Sequence, residues 1–545
     1  MATATERRPT AGALAGRLAF GQVARGALIW GVVFAITIAS AVVAYRSTYG
    51  TPAERATLLR GLTANSGIRA LFGPARRVDT VGGFLAWRTL SLMPMIAGIW
   101  GLLAATRVLR GEEDRGRWET LLCAPITRGG ATLTTLAGLA AACGLLLVPT
   151  ALAALLAAAL PGDISAGGAL WLALALCIAA PAYGAVGALA AQLAPTRRVA
   201  AALAGGVFAA TFLVKVAADG SASLGWLRWL TPLGWIEELR PLTGAQPIAL
   251  APLLAWIGLL TAASVRLARG RDLGGARLAR SDRRAARRAG LGSATGLALR
   301  ESAGGLIGWG LGLGITAFVF GFVSRAVADL ARDSAGIRKH VESTMSARID
   351  IASAQGYLSL VFVFLAVALS LYAVTHATAA REEEATGRLD TLLAQPLARE
   401  RWLGGRALAG AACAALLALL IAIAAWAGAV IRGASVTLPD MLEASANMLP
   451  VVALFGGLAL LGFALVPRHT GAIAFGMVGG AYLWEQTGAI VRAPEWVLAI
   501  SPFHWLALVP SEPVDWTASL VMLAAGALAA LAALWTLRRR DVVGL

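Results

Sequence analysis

A chain of 545 residues that is 58% hydrophobic and only 14% charged, with a mean hydropathy of +0.72, has too little polar surface to cover a soluble globule. The composition specifies a polytopic membrane protein embedded in a lipid bilayer. The net charge of +17 would suit nucleic acid, but most of the excess lies in short loops, where arginine is retained on the cytoplasmic side, so no nucleic-acid partner is expected.

Apolar runs of about 20 residues, enough to cross a hydrocarbon core, recur along the chain. Residues 11 to 25 are broken by Arg17, Gln22 and Arg25 and read as an interfacial helix rather than a cleavable leader. Six spans follow near 27–45, 89–107, 131–157, 169–192, 199–217 and 247–266. After an arginine-rich segment, six more lie near 304–324, 356–376, 406–431, 445–466, 471–491 and 517–537. A membrane barrel would need alternating polar residues, so the expected fold is all-α with twelve transmembrane helices. Even parity puts both termini on one side. Ten arginines between Arg266 and Arg300 stand against Asp272 and Asp282 alone, and Arg538, Arg539 and Arg540 follow the last span, so that side is cytoplasmic and the location is the cell membrane. The expected outer segment 46–88 carries seven arginines against this rule, but long loops orient weakly.

The chain repeats itself. Residues 110–128 (RGEEDRGRWETLLCAPITR) return 271 positions later as 381–399 (REEEATGRLDTLLAQPLAR). Trp30-Gly31 returns as Trp309-Gly310, Thr231-Pro232-Leu-Gly-Trp235 as Ser501-Pro502-Phe-His-Trp505, and Arg271-Asp272 as Arg540-Asp541. The expected organisation is therefore two parallel six-span halves, 1–266 and 296–545, joined by a linker at 267–295. Their repeated loops lie at 108–130 and 377–404, and outer re-entrant elements at 224–242 and 493–513.

Within the loop, Glu112, Glu113 and Asp114 are placed at the start of a short helix, where carboxylates suit the dipole. Trp118, Leu121 and Leu122 then share one face, and Pro125 ends the helix. A short amphipathic helix in duplicate reads as a docking element, because consecutive acids suit an anionic leaflet poorly.

The pattern Glu-Glu-x-x-Gly-Arg-x-(Glu/Asp)-Thr-Leu-Leu-x-x-Pro-x-x-Arg between the second and third spans resembles the coupling-helix loop of type-2 ABC exporter permeases. In particular it is similar to the fused twelve-span branch of actinobacterial polyketide-antibiotic exporters. The resemblance covers essentially the full chain. It implies a type-2 ABC exporter permease fold and export of hydrophobic or amphipathic, drug-like small molecules. Two copies of a separate ABC ATPase would dock on the loops and use ATP and magnesium, with no cofactor bound by this chain. Carried over by position, the implied ATPase-coupling residues are Glu112, Glu113, Gly116, Arg117, Glu119, Thr120, Leu121 and Leu122, then Glu383, Glu384, Gly387, Arg388, Asp390, Thr391, Leu392 and Leu393.

The residues themselves argue against a built-in motor. A phosphate-binding loop ends in Gly-Lys-(Ser/Thr), and the only lysines, Lys215 and Lys339, do not follow glycine. His340, His376, His469 and His504 are scattered and suggest neither a catalytic nor a metal site; Cys123, Cys143, Cys177 and Cys413 read as free thiols. Lys215 and Glu485 each lie 17 residues before the repeated proline and are expected to meet across the two halves near the outer surface. A substrate path along the second and fifth spans would draw on Met93, Met95, Trp100, Phe208, Phe212, Tyr357, Phe362, Phe364, Tyr372, Phe475, Tyr482 and Trp484. Trp226, Trp229, Trp235, Trp496, Trp505 and Trp516 suit an outer interfacial belt. The rival reading is a proton-coupled secondary transporter of the major facilitator type. Its loop signature is matched imperfectly by residues 111–117 and not at all by the second copy.

Overall fold

The computed structural model describes residues 11–48, 51, 55–56, 59, 73–220, 222–278, 290–333, 353–490 and 494–540. Lys339, His340, Asp541, Arg60 and Arg69 of the expected outer segment, and the centre of the linker lie outside them. The chain divides into two compact units, Met1–Arg284 and Ala285–Leu545, and the division falls within the arginine-rich segment.

Among the described residues, the α-helices of the first unit are α1 (Ala11–Thr48), α2 (Val81–Leu90), α3 (Met93–Thr106), α4 (Arg117–Leu122), α5 (Arg128–Ala158), α6 (Ala166–Cys177), α7 (Ala179–Leu193), α8 (Arg197–Gly220), α9 (Pro232–Glu238) and α10 (Leu250–Arg269). Those of the second unit are α11 (Ala294–Asp333), α12 (Ala354–Ala385), α13 (Arg388–Leu393), α14 (Arg399–Ile431), α15 (Leu438–Asn447), α16 (Leu449–Leu465), α17 (Thr470–Ile490), α18 (Glu495–Leu498) and α19 (Trp516–Arg539). Among the described residues, eleven helical segments are long and apolar enough to cross a membrane. Helix α17 occupies the position of the eleventh expected span, 471–491, and is not one of the eleven segments.

The expected interfacial helix at 11–25 is not a separate element. It runs without a break into the first span as a 38-residue helix, because no proline interrupts 11–48 and isolated glycines lower helix stability without ending it. The seventh span is likewise a single 40-residue helix. Small residues draw the first and third spans of each half together. At Gly138 an added Cβ would stand 2.2 Å from the Gly16 carbonyl oxygen, and at Gly321 it would stand 2.0 Å from that of Ala425. Each unit has its own apolar core, and Trp118 and Leu389 of the repeated loops are buried in the two cores respectively.

Candidate functional site: the two repeated loops

The repeated loops fold alike. In each, a six-residue helix (α4, α13) begins after a glycine in the left-handed region, Gly116 at φ 73° and Gly387 at φ 70°. Side-chain-bearing residues adopt this conformation only at a cost, which accounts for glycine in both copies. Trp118 or Leu389 points inward, and Leu121, Leu122, Leu392 and Leu393 lie half-buried on the same core. Arg117, Glu119 and Thr120 are exposed, as are Arg388, Asp390 and Thr391. Of the residues expected to couple, these six present exposed surface.

The acids behave otherwise. Rather than opening the short helix, Glu383 and Glu384 sit at the C-terminal end of α12, and Glu112 and Glu113 follow a π-helical turn, Arg107–Gly111, that extends α3. The chain is helix-forming up to Gly116 and Gly387, so the preceding helix absorbs the charged run. A carboxylate is disfavoured at that end of a helix, and arginines offset it. The Glu113 carboxylate accepts from Arg271 Nη2 at 2.6 Å and from the Gly274 backbone N–H at 2.8 Å, and Arg110 lies 3.3 Å away. Asp114 accepts from Arg110 Nε at 3.1 Å and from the Arg197 N–H at 2.7 Å. In the second copy Glu384 pairs with Arg540 and with Arg381, the latter at 3.5 Å.

The far end of each loop holds the same residue from its other side. Arg128 donates to the backbone carbonyl of Arg271, and Arg399 donates to that of Arg540. Hence one glutamate, one arginine and the arginine closing the sixth span form a clamp in each half. A guanidinium beside the clamp in the first half, and the clamp arginine itself in the second, also reaches the end of the fourth span. Arg110 donates to the Pro195 carbonyl, and Arg540 donates to Phe463 at 3.0 Å.

The copies differ one residue earlier. Glu112 pairs with Arg115 (3.1 Å) and Arg117 (3.0 Å), both well exposed. Its counterpart Glu383 is buried, accepts from Trp402 Nε1 at 3.1 Å, and pairs with Arg406, which also binds Glu301 of α11 at 2.7 Å. Ala131, Thr135 and Gln22 stand at the equivalent positions of the first half, so this lock exists only in the second.

The other site residues expected from sequence are dispersed. Lys215 is buried, but its carboxylates come from its own half: Asp219 and, at 2.7 Å, Glu237. Arg228 joins them at 2.5 Å from Asp219; Glu238 binds Arg76 (2.9 Å) and Arg240 (2.6 Å). Glu485 faces His504 at 3.3 Å, again within its half. Neither charge therefore needs a partner across the halves to account for its position. This first-half cluster was missed; Asp219, one turn beyond Lys215, was its available signal.

Met93, Phe208, Phe362 and Tyr372 are buried in the cores, and Phe208 packs against Tyr183 at 4.8 Å between ring centres. Met95, Trp100, Phe212, Tyr357 and Tyr482 are half-buried, while Phe364, Phe475 and Trp484 are exposed. Trp226, Trp229, Trp496, Trp505 and Trp516 are exposed, but Trp235 is buried and leaves the expected belt. It packs at 6.0 Å from Trp256 and donates to the Trp229 carbonyl at 2.6 Å. Trp505 makes the equivalent bond to Ala499 at 2.9 Å, so the repeated Pro-x-x-Trp element ties off a turn in both halves.

Residues 19–266 match the family model described as ABC-2 family transporter protein, and residues 291–538 match the C-terminal domain of the multidrug efflux system permease Rv1217c. The chain is 30% identical over 520 residues to the multidrug efflux system permease protein Rv1217c of Mycobacterium tuberculosis. That similarity covers 94% of this chain and 92% of the relative.

Proposed function

Because the chain belongs to the ABC-2 family of transporter permeases, we propose that it is the membrane-spanning subunit of an ATP-driven exporter of hydrophobic or amphipathic, drug-like compounds. A separate ABC ATPase docks on the loops 108–130 and 377–404, one copy on each, and hydrolyses ATP with magnesium. The multidrug efflux named for the mycobacterial relative is extended here to this chain.

One observation carries the docking assignment: the matched pair of six-residue helices whose apolar side is buried while Arg117, Glu119 and Thr120, and Arg388, Asp390 and Thr391, are left exposed. A helix lying on lipid headgroups would turn its leucines to the bilayer; here they cover the protein's own core. Chemical energy has to arrive from outside, since neither lysine follows a glycine as a phosphate-binding loop requires. The arginine pattern supports cytoplasmic termini and hence cytoplasmic loops.

The test is co-expression with candidate ABC ATPases, purification, and reconstitution into liposomes carrying a fluorescent hydrophobic drug. ATP-dependent movement that requires both subunits is expected. Movement driven by a proton gradient with this chain alone would overturn the proposal in favour of a secondary transporter.

A further inference from the structure

We infer that each docking loop drives the sixth span of its own half, and that Arg271 and Arg540 are the positioning residues through which it does so. The inference deepens the proposed function and rests on it.

Covalently, the loops connect only the second and third spans. The clamp adds a connection the chain path lacks, because Glu113 meets Arg271 across 158 residues and Glu384 meets Arg540 across 156. Both ends of the loop converge on one residue: the glutamate takes its guanidinium, and Arg128 or Arg399 takes its backbone carbonyl. A displaced docking helix therefore cannot leave the end of the sixth span behind without breaking both contacts. Their position makes that costly. The Glu113 and Arg271 side chains are only 6% and 10% exposed, and Glu384 is fully enclosed. Separating buried charges leaves each uncompensated, whereas surface pairs part at little cost.

The internal duplication supplies a second argument. The halves have diverged around the clamp: Trp118 faces Leu389 in the alignment, Thr135 faces Arg406, and the partners of Glu112 and Glu383 are unrelated. Glu113, Arg128 and Arg271 nevertheless have Glu384, Arg399 and Arg540 as counterparts in identity and in contact. A staple serving only to hold the loop shut could have been replaced by apolar packing in either copy, as the Glu383 lock is absent from the first.

The experiment uses the full chain with its ATPase in liposomes, and measures ATPase retained per permease, ATP hydrolysed and drug moved. Glu113→Gln and Glu384→Gln remove the charge without shortening the side chain. Arg271→Lys and Arg540→Lys keep the charge but replace a planar fork by a single point donor. Expected are ATPase retention within about twofold of the parent and a fall of at least about tenfold in drug moved per ATP. Arg406→Lys, which disturbs the loop's attachment away from the sixth span, should lower retention and transport together.

Unchanged transport per ATP in the glutamine variants, or loss of ATPase in proportion to transport, would overturn the inference. Should the glutamine variants fail to fold, the lysine variants decide by the same two readouts. Failure of the parent chain to bind any ATPase would instead strike the proposed function, so the two failures are distinguishable.

Discussion

Replacing Arg406 by methionine tests the difference between the two loops most directly. Arg406 is 4% exposed and holds Glu383, itself buried, while its second partner Glu301 is 40% exposed in its side chain. Methionine fills much of the same volume but strands the Glu383 carboxylate with a single donor, Trp402 Nε1. Removing one member of a buried pair costs about 3–5 kcal/mol; the Glu301 contact adds little because solvent screens it. In the first half Arg117→Met removes only an arginine that is 59% exposed in its side chain from Glu112, a loss of about 0–1 kcal/mol. Urea denaturation of the purified protein in detergent, followed by tryptophan fluorescence, reads both. The double variant Arg406→Met with Glu383→Gln should recover at least half the loss, since no charge remains buried alone. An Arg406→Met stability within about 1 kcal/mol of the parent, or a double variant no better than the single, would refute the reasoning.

Three further outcomes are expected. Gly116→Ala should cost about 1–2 kcal/mol locally through its left-handed backbone and weaken ATPase co-purification, while Gly116→Asn should retain most of it; equal effects would contradict the assignment. Cys123, the one exposed thiol of the four, should react with a maleimide in inside-out vesicles but not in intact cells, and bound ATPase should slow the labelling. Labelling from outside the cell would reverse the topology. Lys215→Met should lower stability by about 3–5 kcal/mol by leaving buried Asp219 and Glu237 with Arg228 alone. Exchanging charges as Lys215→Glu with Glu485→Lys should not restore the loss; full recovery on the same denaturation curve would establish a pair across the halves.

What the sequence made legible was whatever depends on short periods. Most of the spans and the proline that follows each docking helix depend on neighbours a few residues apart. So does the inward turn of Trp118, Leu121 and Leu122. The acids do not open the helix expected to start at them: no proline stands before Gly116 or Gly387 in either loop, and the preceding helix runs on through the acids, by way of a π-helical turn at Gly111 in the first copy. Their partners were illegible for a different reason. In the sequence Arg271 and Arg540 are only matching positions of the repeat, and nothing local pairs them with glutamates some 156 residues away. Around Lys215 the nearer partners are local ones. Asp219 is an acid one turn on along the same helix, while Glu237 is a neighbour only through the fold, from the short helix Pro232–Glu238.

The π-helical turn at Arg107–Gly111 bears on how these halves can be exchanged. The equivalent stretch 378–382 lies in ordinary α-helix, so the two second spans reach their glutamates with phases that differ by about one residue, or roughly 100° of rotation. A chimera joined upstream of residue 107 carries its own turn and keeps Glu113 facing Arg271. One joined between 111 and 116 would import the wrong phase and swing the acid away from its partner, although every residue matched in alignment. Modular exchange of specificity between the loops should accordingly cut at Gly116 and Gly387, where the chain changes direction and the phase is reset.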